Sequence, residues 1–320
     1  MLGLGSSFVA VATPPSLARG VNVLSDDPVW NDPAKTHFPL SQFARIRGGG
    51  FDTVRINLKA FAHIDSDGHL DPIWLSTLDR EVTAATQAGL NVIVDEHDYR
   101  ACGSDPDVCR TKLLAFWQQI ALHYQNAPAT VLFEILNEPN NALTPERWNS
   151  LLAEALAVIR KTNPSREVIV GPGRFNSFRA LNDLKLPEDD RHLIVTVHYY
   201  DPFHFTHQGA AWVTPSLADA TGVEWGSAAD RAKMDSDIGT IAAWGRNHQR
   251  PMFIGEFGTY DKANIDSRVA WTRHLARDAE AKGIAWCYWD FDAGFGVFDR
   301  KQDEWNVPIH GALVPDFAAR

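Results

Sequence analysis

The run Phe133-Glu134-Ile135-Leu136-Asn137-Glu138-Pro139 continues an apolar, strand-like stretch, Thr130-Val131-Leu132-Phe133, and ends on a glutamate clamped by a proline. A second run, Pro251-Met252-Phe253-Ile254-Gly255-Glu256-Phe257-Gly258, carries Glu256 in the same way. Two carboxyl groups at the ends of two buried strands are what acid–base work on a glycosidic bond requires. Further polar residues close other apolar runs: Arg55 and Asn57, Asp95 and His97, Asn137, His198 and Tyr200, and then Trp289. Such groups are costly to bury without purpose. Each alone reads equally well as a satisfied structural residue; all of them on one rim read as a site.

The elements that must position them are short β-branched runs alternating with helical ones. The expected strands are Gly20–Leu24, Thr53–Leu58, Asn91–His97, Thr130–Asn137, Glu167–Gly171, Leu193–Tyr199, Met252–Phe257 and Gly283–Trp289. Helical patterns are clearest at Pro72–Ala88, Cys109–Tyr124, Pro145–Lys161, Ala228–His248 and Ile265–Lys282, and a closing helix is expected at Pro308–Phe317. Thr144-Pro145-Glu146 places a capping residue before a first-turn proline. Gly89 and Gly283 sit where helices should stop, and Gly48-Gly49-Gly50 reads as another stop. Eight parallel strands, each followed by a helix, make a single-domain α/β protein of the (β/α)8 TIM-barrel type. A doubly wound sheet is the alternative, but it would carry a Gly-rich phosphate loop after an early strand, and none is visible. The barrel is expected over 16–320. The segment 1–15 reads as a signal-peptide remnant, a disordered tail or a strand covering the barrel bottom. The long irregular stretch 201–227 follows the sixth strand, on the face where barrels build their sites.

Six motifs follow in order: Val54-Arg55-Ile56-Asn57, Val94-Asp95-Glu96-His97, Leu136-Asn137-Glu138-Pro139, His198-Tyr199-Tyr200, Ile254-Gly255-Glu256-Phe257 and Tyr288-Trp289. Together they resemble glycoside hydrolase family 5, the cellulase-type barrels with two catalytic glutamates, over nearly the whole chain from Gly20. The resemblance implies that Glu138 is the acid/base and Glu256 the nucleophile. It further implies that Arg55, His97, Asn137, His198, Tyr200 and Trp289 bind or support substrate. Glu96 departs from the family pattern, and strand alternation points it away from the barrel centre. The implied activity is retaining, endo-acting hydrolysis of a β-1,4-glucan. The alternatives are a β-mannanase or other β-glucan hydrolase, and a non-catalytic glycan-binding barrel. The last would typically have lost one glutamate or the arginine, and this chain keeps all three.

Barrel geometry leads to the same pairing. Strand spacing and tilt give an eight-stranded barrel a radius of roughly 7 Å, so strands four and seven lie about 13 Å apart across it. Two inward glutamates shorten this to a carboxyl gap near ~5 Å, the retaining rather than the inverting separation. Glu256 would attack ionised, favoured by Arg55 and a Tyr200 hydrogen bond. Glu138 would start protonated, in a site that raises its pKa. Pro139 should bias Glu138 toward extended backbone.

His198, His204 and His207, with Asp95 and Asp201, raise a metal reading. A metal-dependent barrel hydrolase would carry His-x-His on its first strand, which here is Gly20-Val21-Asn22-Val23-Leu24. No metal and no cofactor are therefore expected, and His204 and His207 are read as fixing the long loop. Trp212 and Trp225 are candidates for cleft walls or loop anchors. Trp30 and Trp305, after the first and eighth strands, are candidate sugar contacts, and Asn22 either faces Glu256 or makes a structural hydrogen bond.

Composition sets the remaining bounds. Asp and Glu outnumber Lys and Arg by 40 to 30, a net charge of −10, which argues against nucleic acid. The sequence shows no apolar run long enough for a bilayer and no basic cluster, so neither nucleic acid nor membrane is expected as a partner. The expected partner is a polysaccharide or oligosaccharide bound by a monomer. Of three cysteines, Cys102 and Cys109 flank a short polar loop and either pair or stand free, while Cys287 reads as a buried thiol. A pairing, with the apolar leader, would fit a secreted or periplasmic location.

Overall fold

A computed structural model describes residues 17–315, so the leader or tail expected over 1–15 lies outside the described residues. Eight strands close into one barrel: β1 Arg19–Val23, β2 Thr53–Leu58, β3 Asn91–Glu96, β4 Val131–Glu134, β5 Val168–Val170, β6 Leu193–His198, β7 Met252–Glu256 and β8 Ala285–Tyr288. Each pairs in parallel with the next, and β8 pairs with β1. The strands are apolar because both of their faces are buried.

Alternation divides the strand residues between two cores. Outward residues such as Val54, Val92, Phe133, Val195 and Trp286 pack under the helices. Inward residues at the barrel's lower end, Ile93, Leu132, Ile169, Ile194, Phe253 and Cys287, form a separate apolar plug. Above that plug the inward positions turn polar: Arg55 and Asn57 on β2, Asp95 on β3, Glu134 on β4, Thr196 on β6. The plug closes the floor, and the polar layer is left to face the open mouth.

The helices begin where short polar side chains can take the first free N–H groups. Asp71 before Pro72, Asp105 before Pro106 and Thr144 before Pro145 each accept from a first-turn backbone N–H. Ser227 and Asp230 form a reciprocal capping box for helix Ala228–His248. Gly50, Gly89 and Gly283 take positive φ, as helix stops do.

Several expectations change in detail. β4 ends at Glu134 rather than Asn137, although Ile135 and Asn137 still donate backbone N–H groups to Ile169 and Glu96. The stretch between Cys102 and Cys109 is not a loop. It is the junction of helices Tyr99–Ser104 and Pro106–His123, and the two buried cysteines are joined across it as a disulfide. The irregular 201–227 segment contains two short helical turns, Phe203–Thr206 and Pro215–Ala218. The closing helix runs Val307–Leu313.

Barrel closure depends on a close approach at Gly20. A methyl group there would lie 2.2 Å from Cys287 Sγ and 3.1 Å from Thr53. Gly20→Ala is therefore expected to destabilise the fold by about 1–3 kcal/mol through overpacking. Removing the sulfur in Gly20→Ala/Cys287→Ala should recover part of the loss. Urea unfolding of Gly20→Ala, Cys287→Ala and the double variant checks this; additive losses would contradict it.

Candidate active site

The polar layer is organised by Arg55, whose side chain is fully buried. Its Nε and Nη2 grip Glu134 Oε2 and Oε1 at 2.7 and 2.9 Å in a two-pronged fork. Nη1 donates to Asn22 Oδ1 at 2.8 Å and to Glu256 Oε1 at 2.9 Å. Nη2 also reaches Asn137 Oδ1 at 2.8 Å and Asp95 Oδ2 at 3.1 Å. One side chain of β2 thus joins β1, β3, β4 and β7. Asn22 completes the lattice, its amide N–H donating to the carbonyls of Gly255 and Tyr288.

Glu138 and Glu256 meet above this lattice. Together with His198 they offer carboxylate and ring-nitrogen atoms lying within 4.8 Å of one another. His198 Nδ1 is 2.8 Å from Glu138 Oε1 and 3.4 Å from Glu256 Oε2. Tyr200 donates its hydroxyl to Glu256 Oε2 at 3.1 Å. Glu256 thus accepts from Arg55 on one oxygen and from Tyr200 on the other. The Glu138 side chain is 16% exposed against 6% for Glu256, and it faces the cleft.

Charge bookkeeping decides where protons sit. One guanidinium faces Asp95, Glu134 and Glu256 in contact and Glu138 at longer range. Burial lowers His97 to about 3 and His198 to about 4, so both rings are neutral at pH 7. Burial also works against the Arg55 cation, but Asp95, Glu134 and Glu256 outweigh it and hold its pKa well above the usual value. A single positive charge cannot stabilise four buried negative ones. Burial pushes Glu138 up to about 8 and Asp95 up to about 7, each partly opposed by Arg55.

Backbone geometry at Glu138 departs from expectation. Its φ is +43°, in the left-handed region and not extended as the following proline would favour. Tertiary hydrogen bonds hold it there: Asn140 Nδ2 donates to the Glu138 carbonyl at 2.7 Å, and the Phe175 N–H donates to the Pro139 carbonyl at 3.1 Å.

The cleft above the glutamates has a volume of about 1500 Å³. Its lining includes Trp289, Trp212, Tyr200, Phe175 and Tyr260. The half-buried Trp289 lies parallel to His97, their centroids 5.8 Å apart. Trp212 is 55% exposed and stands edge-on to Tyr260. The other aromatic candidates do not reach the cleft. Trp30 is buried against Trp74 and donates its ring N–H to the Leu24 carbonyl, so it is a core residue and not a sugar contact. Trp305, a residue of a short hairpin, stacks on Phe51 and lies tilted against His310, and it too is removed from the candidate contacts. Trp225 is buried under Arg231 and anchors the long loop. His207 stacks on Phe203 at 3.9 Å and braces that loop against Tyr200, while His204 is exposed and lies outside the cleft lining. Glu96 is buried outside the barrel and accepts the Asp98 N–H.

Glu134 and Asn176 were not singled out from the sequence. Glu134 had a signal: it shares the inward parity of Leu132, inside an apolar strand that has no other charge. Asn176, which contacts His198 Nε2 at 3.3 Å, had none, because it sits in a turn after β5 with no motif around it.

Glu138, His198 and Glu256 also resemble a metal-ligand set. A tetrahedral zinc ion bound by two of them would hold its ligand atoms roughly 3.3 Å apart. The 2.8 Å contact between His198 Nδ1 and Glu138 Oε1 is a hydrogen-bond distance, with no room for an ion to be shared. These residues do not fit a metal.

Comparison with known proteins gives a consistent picture. Residues 23–294 match the model of the cellulases, glycosyl hydrolase family 5. Endoglucanase H of Acetivibrio thermocellus is 29% identical over 292 residues, which is 89% of this chain but only 31% of that relative's length. Among solved structures, a hyperthermophilic endo-β-1,4-glucanase in complex with substrate is 35% identical at a TM-score of 0.89, covering 94% of this chain and 97% of its own. Thermotoga maritima Cel5A in complex with mannotriose is 36% identical at a TM-score of 0.88, covering 93% and 97%.

The proton placement makes a pH prediction. A general acid must be protonated, so activity is lost as pH rises through its pKa. With Glu138 held at about 8, kcat/KM on a β-glucan oligosaccharide should be sustained through neutrality and fall above that value. An ordinary carboxylate would place the fall near about pH 4–5, and that result would contradict the assignment. Dialysis against a chelator should leave the rate unchanged.

Proposed function

The chain belongs to the cellulases of glycosyl hydrolase family 5, and we propose that it cleaves internal β-1,4 bonds of a β-glucan with retention of anomeric configuration. The observation that carries this reading is the approach of Glu138 and Glu256 within 4.8 Å in one cleft. Retaining enzymes place their carboxyl groups about 5–5.5 Å apart, whereas inverting ones need roughly 6.5–9.5 Å to admit a water.

The reaction proceeds in two displacements. A carboxylate oxygen of Glu256 attacks the anomeric carbon as the bond to the leaving oxygen breaks, and Glu138 gives its proton to that oxygen. Water then attacks the same carbon and gives up a proton to the Glu138 carboxylate, and the bond to Glu256 breaks to release it as carboxylate. Arg55 and Tyr200 fix the nucleophile by donating to one oxygen each. In this reading Asn137, whose Oδ1 accepts from Arg55, bonds the sugar 2-hydroxyl, and Trp289, in the cleft lining, offers a flat apolar face on the non-reducing side.

A second reading, hydrolysis of a mannan, has one specific support: a neighbour at 36% identity is known in complex with mannotriose and also with cellobiose. A non-catalytic glycan-binding role fits less well, because both glutamates and Arg55 are present and mutually engaged. The Cys102–Cys109 disulfide supports a secreted or periplasmic site of action, and among the described residues no helix is long and apolar enough to cross a membrane.

Glu256→Gln should lower turnover by several orders of magnitude with the fold intact by circular dichroism; near-normal activity would sink the nucleophile assignment. Glu138→Ala should be partly rescued by azide on substrates with good leaving groups, and absence of rescue would count against its acid/base role. A reducing-sugar panel of carboxymethyl-cellulose, barley glucan, glucomannan, xylan and mannan should show the highest rate on a β-1,4-glucan. A highest rate on mannan would transfer the proposal to the second reading.

A further inference from the structure

We infer that Asn176 is a positioning residue: its side-chain N–H donates to Nε2 of His198, fixes the ring proton on Nδ1, and thereby leaves Oε2 as the oxygen of Glu138 that carries the transferable proton. The inference rests on the reading of Glu138 as the acid/base.

The argument starts from hydrogen-bond inventory. A neutral imidazole has one N–H and one bare nitrogen. Asn176 is fully buried, with Nδ2 3.3 Å from His198 Nε2. An amide nitrogen can only donate, so Nε2 must be the bare one, and Nδ1 then carries the proton. That atom lies 2.8 Å from Glu138 Oε1 and 3.4 Å from Glu256 Oε2, where a lone pair would face two carboxyl groups and a proton serves both. With Oε1 of Glu138 committed to accepting, the acidic proton belongs on Oε2, the oxygen left for a leaving group.

The amide orientation has its own support. Asn176 Oδ1 points at Gly171, where a Cβ would stand 2.1 Å from it, and it has no hydrogen-bond partner among the described residues. Turning the amide over would strand two N–H groups in that buried corner instead of one carbonyl oxygen, and buried N–H groups are tolerated less readily.

The backbone around Asn176 is shaped to make this contact. Arg174, Phe175 and Asn176 have φ of +59°, +61° and +52°, three successive non-glycine residues in left-handed conformation. L-residues avoid such runs, and they persist only where surroundings dictate them, often at functional sites. Here the turn is tied to the segment carrying Glu138 and to His198. Phe175 N–H donates to the carbonyl of Pro139, next to Glu138, and Ser177 forms a parallel bridge to His198. Gly171 lacks a side chain where the amide packs.

The electrostatic surroundings of the two titrating groups are otherwise accounted for. His198 is faced by Glu138 and Glu256, with Arg55, Glu134 and His97 at longer range. Glu138 is faced by His198, Arg55, Asp95 and Arg100, and shares the cleft with Tyr99 and Tyr200. Arg174 is the one charged residue on the Asn176 turn, and its guanidinium pairs outward with Asp183.

The test is Asn176→Asp, which keeps the shape and replaces the donor by an acceptor. Long-range proton–nitrogen NMR of the wild type should show His198 protonated at Nδ1 and bare at Nε2. In the variant the proton should move to Nε2, or both nitrogens should carry one. A His198 cation beside Glu138 would favour the carboxylate, so the alkaline limb of kcat/KM should shift down by about one pH unit. On an oligosaccharide kcat/KM should fall roughly tenfold or more, whereas on a dinitrophenyl glycoside, whose leaving group needs no proton, it should stay near the wild-type value. A wild-type ring protonated at Nε2 would overturn the inference even if the variant cannot be folded. So would a variant that loses both substrates in equal proportion, or one that loses thermal stability with its pH limb unmoved. Glu138→Ala is the control. If its kcat/KM on the dinitrophenyl glycoside falls as far as on the oligosaccharide, the acid/base reading itself fails; if that control behaves, only the role of Asn176 is in question.

Discussion

The buried fork between Arg55 and Glu134 is the constraint on which the rest of the site depends. A guanidinium has five N–H donors in a rigid plane, and a barrel interior offers acceptors from several strands at one level. Here the donors reach Glu134, Asn22, Glu256, Asn137 and Asp95, so one residue sets the relative height of β1, β3, β4 and β7. Lysine, a single point charge, could not hold this set. The same cation sets the charge balance. It faces more carboxyl groups than it can neutralise, so burial keeps protons on the least compensated ones, and Glu138 is among them. The proton on Glu138, on which its proposed role as acid rests, follows from that shortage of positive charge.

Around this lattice the structure accepts local strain in return for aim. Glu138 and the Arg174–Asn176 turn both have left-handed backbone at residues other than glycine, and hydrogen bonds join the two places. Local preference would have placed them elsewhere; tertiary contacts override it. The apolar plug beneath, from Ile93 to Cys287, supplies the rigidity that such a device needs.

The fold was legible because each layer leaves a period in the sequence. Both-face burial leaves short β-branched and apolar stretches in each strand, and the bounds expected for Thr53–Leu58 and Ala228–His248 match those in the structure. Polar residues at strand ends were equally visible, since Arg55, Asp95 and His198, each explicable alone as a structural residue, fall together on one rim. Other features leave no period. Trp30 and Trp305 follow strands on the correct face, yet their rings turn into the core, because a short connection can send a large side chain either way. The conformation of Glu138 opposed the local rule for a residue before proline, since bonds to Asn140 and Phe175 decide it. Asn176 acts through a neighbour brought to it by the fold, and no spacing in the chain announces that meeting.

The central claim is that Glu256 and Glu138 act as nucleophile and acid on one sugar, which requires two inversions at the anomeric carbon. Proton NMR of the first minutes of hydrolysis of a β-linked oligosaccharide reads this directly. The β-anomer of the new reducing end should appear first, with the α-anomer growing in only at the rate of mutarotation. An initial product of α configuration would mean single displacement by water, and the account would be wrong.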